Sequence, residues 1–291
     1  KFRLNTFAIN KVFEETYEAG RSREAIIFEE LTPQSAGNQF IRDQNIKNTL
    51  LTVGQLLGTH EISEKNTLDW AIGYNRVAAD EPNRIRNEIN IMNNPDGELQ
   101  LGNTGGFQQR KTAQEILDDE FNGRISDAFI LKENEDGDAI YKISFGGDAR
   151  FKTRDFQSTF VGFEEGGFTG TLLPSSIDNL SEIFTQQNIN NGLLNVNIQP
   201  DDTYEGELLS YAAFADFIGV FGDFTAEVGL RYQNDEIDVN FDVGNYVNPV
   251  TGASRIGSSV LSYDNLYPAV NLKYSFNDKT ALRLAGSYTQ T

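Results

Sequence analysis

The chain has 291 residues, a formal net charge of −19 and no cysteine. The lack of cysteine excludes disulfide bonds, thiolate metal sites and cysteine nucleophiles, and the acidic balance argues against nucleic acid as a partner. No apolar run approaches the roughly 18 residues that a helical membrane span requires. A transmembrane β-barrel remains compatible with the hydrophobic content of 38%, because only alternate residues of its strands face lipid.

The N-terminal part of the chain is predicted to form three strands. The first covers residues 1–10 and precedes a long polar connection, 11–41. The second and third, 42–60 and 67–77, are joined by the short turn Ile62–Asn66. In the third strand, apolar side chains recur at every second position, which predicts a half-buried strand: Leu68, Trp70, Ile72 and Tyr74.

The middle of the chain contributes two further predicted strands: 120–132 and 139–155. Two long polar connections flank them, 78–118 and 156–203. Each connection contains one segment with a helical pattern. Thr112–Asp119 (TAQEILDD) is predicted as a short helix with Thr112 as its N-cap, and Ser175–Thr185 (SSIDNLSEIFT) is predicted as a second short helix.

The C-terminal part is predicted to form four strands: 205–219, 224–239, 263–276 and 280–290. Strand 224–239 shows the period of two most clearly in its first part, where the apolar side chains share one face: Phe224, Ala226, Val228, Leu230 and Tyr232. Glu227 and Arg231 fall on the other face. This pattern fits both a soluble β-sandwich and a barrel wall.

The lengths of strands and connections distinguish between these two folds. The nine predicted strands have 10 to 19 residues, whereas strands of globular proteins usually have about 5 or 6. Short turns alternate with long connections along the chain, and the short turns are Ile62–Asn66, Glu133–Asp138, Val220–Asp223 and Asn277–Lys279. Four long loops, the last at 241–261, are unusual in compact domains but typical of outer-membrane barrels. The sequence therefore predicts an all-β fold: part of an antiparallel transmembrane β-barrel with short periplasmic turns and long extracellular loops, whose first and last strands run outward.

Several stretches resemble the barrel region of the TonB-dependent outer-membrane receptors. Leu68–Pro82 (LDWAIGYNRVAADEP) is similar to an outward strand of the family that ends at a loop entry. Ile177–Asn188 (IDNLSEIFTQQN) is similar to a loop helix that leads back into the wall. Tyr204–Phe217 and Phe224–Tyr232 resemble a strand pair, and Leu266–Tyr288 (LYPAVNLKYSFNDKTALRLAGSY) resembles a hairpin of the family. The resemblance extends from about residue 42 to the end of the chain.

The resemblance implies more strands than the sequence contains. Barrels of this family have roughly 22 strands, an N-terminal plug domain and a short energy-coupling box. Nine strands in an open arc would leave unpaired strand edges in lipid. We therefore expect residues 1–291 to be part of a receptor barrel whose plug domain and remaining strands lie outside this sequence.

Few residues point to catalysis or to a bound metal or cofactor. The single histidine, His60, is interpreted as a polar residue near a turn, and we find no catalytic or phosphate-binding motif. We therefore predict no enzyme activity, no catalytic residue, no cofactor and no resident metal. Acidic clusters are interpreted as solvated loop residues, although carboxylates can also bind calcium: residues 118–120, 133–138, 201–202 and 235–236.

Charged residues on the polar face of the strands are predicted to face the barrel lumen, where the resemblance implies a plug: Glu227, Arg231, Lys273, Arg283, Asp148 and Arg150. Aromatic residues near strand ends are predicted to form an interfacial girdle: Tyr74, Tyr232, Tyr263 and Tyr288.

The function implied by the resemblance is active uptake of a nutrient across the cell outer membrane. Its ligand would be an iron chelate, an oligosaccharide or a peptide, and the residues that bind it are unknown. The expected partners are the TonB complex, reached through an N-terminal region outside this sequence, the lipid bilayer with lipopolysaccharide, and a surface lipoprotein. Two alternatives stay open: a receptor-like barrel that serves as a structural subunit of an outer-membrane secretion or assembly complex, and a secreted β-sandwich or adhesin.

Overall fold

The structure is a computed structural model that describes residues 1–21, 26–27, 39–91, 98–102, 106–167, 171–244, 250–252, 255–277 and 279–289. Twelve strands occur in these residues: β1 (Phe2–Arg21), β2 (Ile26–Ile27), β3 (Gln39–Ser63), β4 (Asn66–Ile91), β5 (Leu99–Leu101), β6 (Gln109–Glu133), β7 (Ala139–Glu165), β8 (Leu194–Ile198), β9 (Asp202–Phe221), β10 (Phe224–Asp242), β11 (Ile256–Asn277) and β12 (Thr280–Ser287). A 3-10 helix (Ile177–Glu182) and a short α-helix, α1 (Gln186–Asn190), lie between β7 and β8. Neither of these described helices is long and apolar enough to cross a membrane.

All the described strands belong to one antiparallel sheet with the order β12-β11-β10-β9-β7-β6-β4-β3-β1-β2. The short strands β5 and β8 pair with the outer parts of β4 and β7. The remaining strands are long and are neighbours in the order of the sequence, apart from the short β2 at the end, as expected for a wall built from successive hairpins. The described strands do not close into a ring, because β12 and the β1–β2 pair lie at opposite ends of this order.

One face of the sheet carries a stripe of apolar residues from each long strand, while β1, β3 and β9 also place some apolar residues on the other face. The register shows this directly, because directly paired residues share a face: Val228 pairs with Phe217 on one side and with Val270 on the other. This surface is named the lipid face. Its large side chains are exposed although they are apolar; Val228, for example, is 55% exposed. Such exposure is expected where lipid, not protein, covers the wall.

The apolar part of the lipid face has the height of a membrane. On β10 it extends from Phe224 to Tyr232, eight residue steps or about 26 Å along the strand. Tilting the strand by about 40° reduces this to about 20 Å, close to the apolar band of about 25 Å in outer-membrane barrels. Beyond Tyr232 the same face becomes polar, beginning with Asn234, Glu236 and Asp238. The strand therefore continues past the lipid band into water.

Short turns close the hairpins at the opposite end, as predicted from the sequence. The turn between β6 and β7 is held by the Asn134 side chain, whose Oδ1 accepts hydrogen bonds from the backbone N–H groups of Asp136 and Asp138 at 3.0 and 2.7 Å. Gly222, in the turn between β9 and β10, has φ of +62°, a conformation that favours glycine.

The sequence prediction was wrong about where the long strands end. β1 continues to Arg21, β4 to Ile91 and β7 to Glu165, so much of the predicted loop sequence lies in the sheet. These outer parts carry many polar residues on both faces, and the regular alternation that marks a strand inside the membrane is therefore interrupted. The fold class and the nine principal strands are confirmed.

The helix predicted at Thr112–Asp119 was also wrong, because these residues lie inside β6. Every residue of the segment is paired with β7, and most are also paired with β4. Backbone pairing on both sides outweighs the helical preference of the isolated segment. The second predicted helix is confirmed: the 3-10 helix begins after Ser176, whose side chain accepts a hydrogen bond from the backbone N–H of Asp178.

The segment expected to be a loop entry, at Asp80–Pro82, is instead an irregularity inside β4. The register with β6 shifts between Glu81 and Arg84. Pro82 lacks a backbone N–H and cannot complete the ladder, which explains a bulge at this place. After the bulge, the even-numbered side chains of β4, including Arg84, lie on the opposite face of the sheet from the lipid face.

Gly58 in β3 should not tolerate a larger side chain, because the Trp70 ring covers it. A Cβ atom at Gly58 would lie 2.4 Å from the Trp70 ring, which donates a hydrogen bond from Nε1 to His60 Nε2 at 3.1 Å. We expect Gly58→Val to displace the indole and lower stability by about 1–3 kcal/mol. Gly54→Val, on the same face with no atom within 4 Å of its Cβ position, is the matched control.

The measurement is the midpoint of heat-modifiable gel mobility of the intact protein in detergent. Equal midpoints for Gly58→Val and Gly54→Val would contradict the assigned packing of Trp70.

Candidate functional site

The candidate functional surface is the polar face of the wall, opposite the lipid face, which is named the inner face. The register places all six charged residues predicted for the lumen on it: Glu227, Arg231, Lys273, Arg283, Asp148 and Arg150. One girdle assignment was wrong, because Tyr263 pairs with Asp235 and therefore lies on the inner face. Tyr74 and Tyr232 lie on the lipid face at the outer edge of its apolar band, as predicted.

Three arginines surround one carboxylate at mid-height on the inner face. Arg231 donates two hydrogen bonds to Asp148, Nη1 to Oδ2 at 2.6 Å and Nη2 to Oδ1 at 2.8 Å. Arg124 and Arg150 line the same cavity of about 330 Å³. These four residues are named the mid-wall cluster. The sequence predicted three of its members; Arg124 was missed, although its even-numbered position in β6 could have shown that it shares their face.

A second ion-pair network lies higher on the inner face, above the lipid band. Arg154 donates from Nε and Nη2 to the two carboxylate oxygens of Asp118 at 2.5 and 2.6 Å, and Lys152 Nζ lies 2.9 Å from Asp118 Oδ2. The hydrogen bonds from Arg154, and then those from Lys152, hold the pKa of Asp118 below its ordinary value, although partial burial opposes them. This network connects β6 and β7 where no lipid supports them.

A third polar cavity, also of about 330 Å³, lies near the outer ends of β1, β3 and β4. Arg84 and Asp43 form a bidentate pair in it, with Nε and Nη2 at 3.0 and 2.7 Å from the carboxylate oxygens. The hydrogen bond to Asp43 raises the pKa of Arg84. Glu15 and Arg86 complete a lining in which positive and negative side chains are balanced.

The segment between β7 and β8 folds back over the outer part of the wall. Leu180 and Ile183 pack with Ile89 and Leu101 in a buried apolar cluster. Ile89 pairs with Phe40 and Leu101, on the same side of the sheet as the lipid face. The segment 171–193, named the flap, therefore lies against the strand extensions on the same side of the sheet as the lipid face.

An arginine bridge fixes the flap to the wall. Arg42 in β3 lies 2.7 Å from Asp178 Oδ1 of the flap through Nη1 and 2.6 Å from Glu18 Oε1 of β1 through Nη2. Phe163 of β7 adds an edge contact with Phe184, their ring centroids 5.9 Å apart. The flap thus connects β1, β3, β4 and β7 above the membrane.

The remaining predicted residues do not converge on a chemical site. His60 accepts a hydrogen bond from Trp70 Nε1 and contacts the Phe2 ring on the lipid face, which fits its interpretation as a polar residue near a turn. Within the described ranges, no group of three or more His, Cys, Asp or Glu side chains could hold a metal ion.

Residues 167–291 match the model of a family described as the outer membrane protein β-barrel family, and no curated protein matches the chain. Similar solved structures include the siderophore receptor PiuA from Acinetobacter baumannii, with a TM-score of 0.47 and 9% identity over 95% of this chain and 40% of that one. The ferric-catecholate import receptor Fiu from Escherichia coli K12 has a TM-score of 0.43 and 9% identity over 95% and 44%. The ferric yersiniabactin uptake receptor FyuA from Yersinia pestis has a TM-score of 0.38 and 8% identity over 94% of this chain and 40% of that one.

The chain spans less than half the length of each of these three structures. The family match, together with the two-faced antiparallel sheet, confirms the predicted outer-membrane β-barrel wall and its location in the outer membrane.

Asp118→Asn should weaken the outer part of the wall, because it leaves Arg154 and Lys152 without their shared carboxylate. We expect a loss of about 1–2 kcal/mol, measured as the thermal midpoint of the intact protein at pH 7. Asp155→Asn, at an exposed position of the same strand pair, should have little effect.

The pH dependence of this stability difference follows from the lowered pKa of Asp118. Its contribution is fully present above the unfolded-state value of about 4 and is lost only as the pH falls through the lower folded-state pKa. The difference between the natural protein and Asp118→Asn should therefore persist from pH 7 down to about pH 4; a difference that vanished by pH 6 would contradict this assignment.

Leu180→Ala should release the flap without unfolding the wall. Leu180 is 5% exposed in the apolar cluster, whereas Leu173 in the same segment is 48% exposed. Truncation of a buried leucine typically costs about 2–5 kcal/mol, and this loss should shift the flap toward its released state. Limited proteolysis of the intact protein on whole cells should cut within 171–193 much faster in Leu180→Ala than in Leu173→Ala; equal rates would refute the docked flap.

Proposed function

We propose that this chain is part of the barrel domain of a TonB-dependent receptor that takes up a scarce nutrient across the outer membrane. The nutrient would be an iron chelate, an oligosaccharide or a peptide, bound first at the outer ends of the strands. Uptake would be driven by the TonB complex through an N-terminal region outside this sequence, and catalysis is not part of the proposal.

The observation that carries this proposal is the height of the wall. A tilted membrane strand needs only about 9–11 residues, whereas β6 and β7 have 25 and 27. From Phe121 to Gln109, β6 continues for twelve residues past the lipid band, about 40 Å along the strand. A passive wall has no need of this extension, but a receptor needs a large surface outside the membrane.

The charged inner face supports the same proposal. A lumen lined by ion pairs such as Arg231–Asp148 and Arg154–Asp118 offers polar contacts to whatever fills or crosses it. The family match to an outer-membrane β-barrel is consistent with it.

The test is growth of a deletion strain on ferric chelates, oligosaccharides and peptides, each supplied as the limiting nutrient. We expect a defect on one of the three classes that the intact gene restores. Normal growth on all three, with a stoichiometric partner copurifying from native membranes, would overturn uptake and support a structural subunit of a secretion or assembly complex.

A further inference from the structure

The mid-wall cluster has more positive charge than its own carboxylate can neutralise. We propose that Arg124 and Arg150 form a binding position for a carboxylate group that enters from the barrel lumen. The group belongs either to a protein segment that fills the lumen or to a solute that crosses it. The second source rests on the proposed uptake function, and the first does not.

Asp148 is already committed to Arg231. Both of its oxygens accept hydrogen bonds from that guanidinium, and Arg231 Nε also donates to Gln233 Oε1 at 3.1 Å. This bidentate geometry is the strongest arrangement available to the pair. Arg231 is therefore held in place as a fixed part of the wall. Arg124 pairs with Asp148 in the strand ladder, but among the described residues the ion pair of Asp148 is with Arg231 and not with Arg124.

Glu120, the next inner-face carboxylate along β6, is engaged by neighbouring amides through one of its two oxygens. Glu120 Oε1 accepts hydrogen bonds from the side-chain amides of Asn75 and Asn122, each at 3.2 Å. Among the described residues, no carboxylate lies within 4.0 Å of the charged nitrogens of Arg124 or Arg150. Both side chains are exposed to the lumen side.

The guanidinium of Arg124 is nevertheless held in a fixed orientation. Its guanidinium lies over the ring of Phe214, 4.9 Å from the centroid, a cation–π contact that orients the planar group and leaves its N–H edge free. Arg150 pairs with Asn122 in the ladder and lines the same cavity. The cavity also contains Ser210, which can donate a neutral hydrogen bond.

The chemistry of the two arginines suits a carboxylate. Two guanidinium groups present planar N–H edges that match a two-oxygen acceptor. The chain carries a net charge of −19, so its general field repels anions. The three arginines around one acid are an exception to this overall negative charge, and they attract an anion at one height on the wall.

The experiment is residue-resolved modification of the intact protein by phenylglyoxal, an arginine reagent, read by mass spectrometry with and without citrate as a soluble carboxylate probe. Arg3 in β1 and Arg283 in β12 are the reference residues. Both lie on the inner face, like the cluster, but several strands away from it. Arg231 shows the reactivity of an arginine held by a carboxylate. Charge-assisted hydrogen bonds should slow modification about tenfold.

Each pattern of protection has a distinct meaning. Slow reaction of Arg124 and Arg150 in the absence of citrate, with fast reaction of the references, supports a carboxylate supplied by the protein. Slow reaction only with citrate supports a solute site. Reaction of both arginines at the reference rate under both conditions overturns the proposal.

A double variant separates binding from general shielding of the lumen. If the solute site exists, the double variant R124Q/R150Q should bind citrate about tenfold more weakly than the natural protein by calorimetry, whereas R283Q should bind as the natural protein does. If the protein supplies the carboxylate, R124Q/R150Q should lower the thermal midpoint and R283Q should not. Unchanged citrate affinity and unchanged midpoint in the double variant would also overturn the proposal. Neither readout depends on energised uptake, so its failure is distinguishable from failure of the proposed function.

Discussion

The structure depends on the need to satisfy every backbone hydrogen bond within the membrane. In lipid, an unpaired N–H or C=O group has no water to bind, so each strand must be paired continuously on both sides. The register of β7 meets this condition, pairing with β6 from Tyr141 to Phe163 and with β9 from Tyr141 to Ser158. The same continuous pairing then carries the strands beyond the lipid band, where hydration alone would not require it.

Continuous pairing also separates the two faces of the wall chemically. Because side chains alternate, a strand that satisfies lipid on one face presents every second residue to the lumen. Val228 and Leu230 are therefore exposed to lipid while Glu227 and Arg231 lie on the inner face, with no buried core between them. Stability comes from the ladder, from contacts between neighbouring side chains and from ion pairs such as Arg154–Asp118, which is why few residues of this chain are buried.

Above the membrane the wall needs other support, and the flap provides part of it. The apolar cluster of Leu180, Ile183, Ile89 and Leu101 is the one hydrophobic cluster of buried residues in the described part of the chain. Arg42 adds charged contacts from β3 to the flap and to β1. The flap packs on the outer side of the sheet, so it stabilises the extension while the inner face at the same height stays accessible.

The sequence by itself determined the fold class, the nine principal strands and the two faces, because period-two alternation is a local property that lipid on one side and a polar lumen on the other impose on each strand. It could not determine where the strands end: above the lipid band polar residues occur on both faces, and only pairing with neighbours shows that Thr112–Asp119 is strand. It placed Arg231, Asp148 and Arg150 on one face but could not bring Arg124 to them. That arrangement depends on the register between four strands, β6, β7, β9 and β10, which is a tertiary property. The mid-wall cluster was therefore decided by strand pairing, since residues far apart in sequence meet only after the hairpins align.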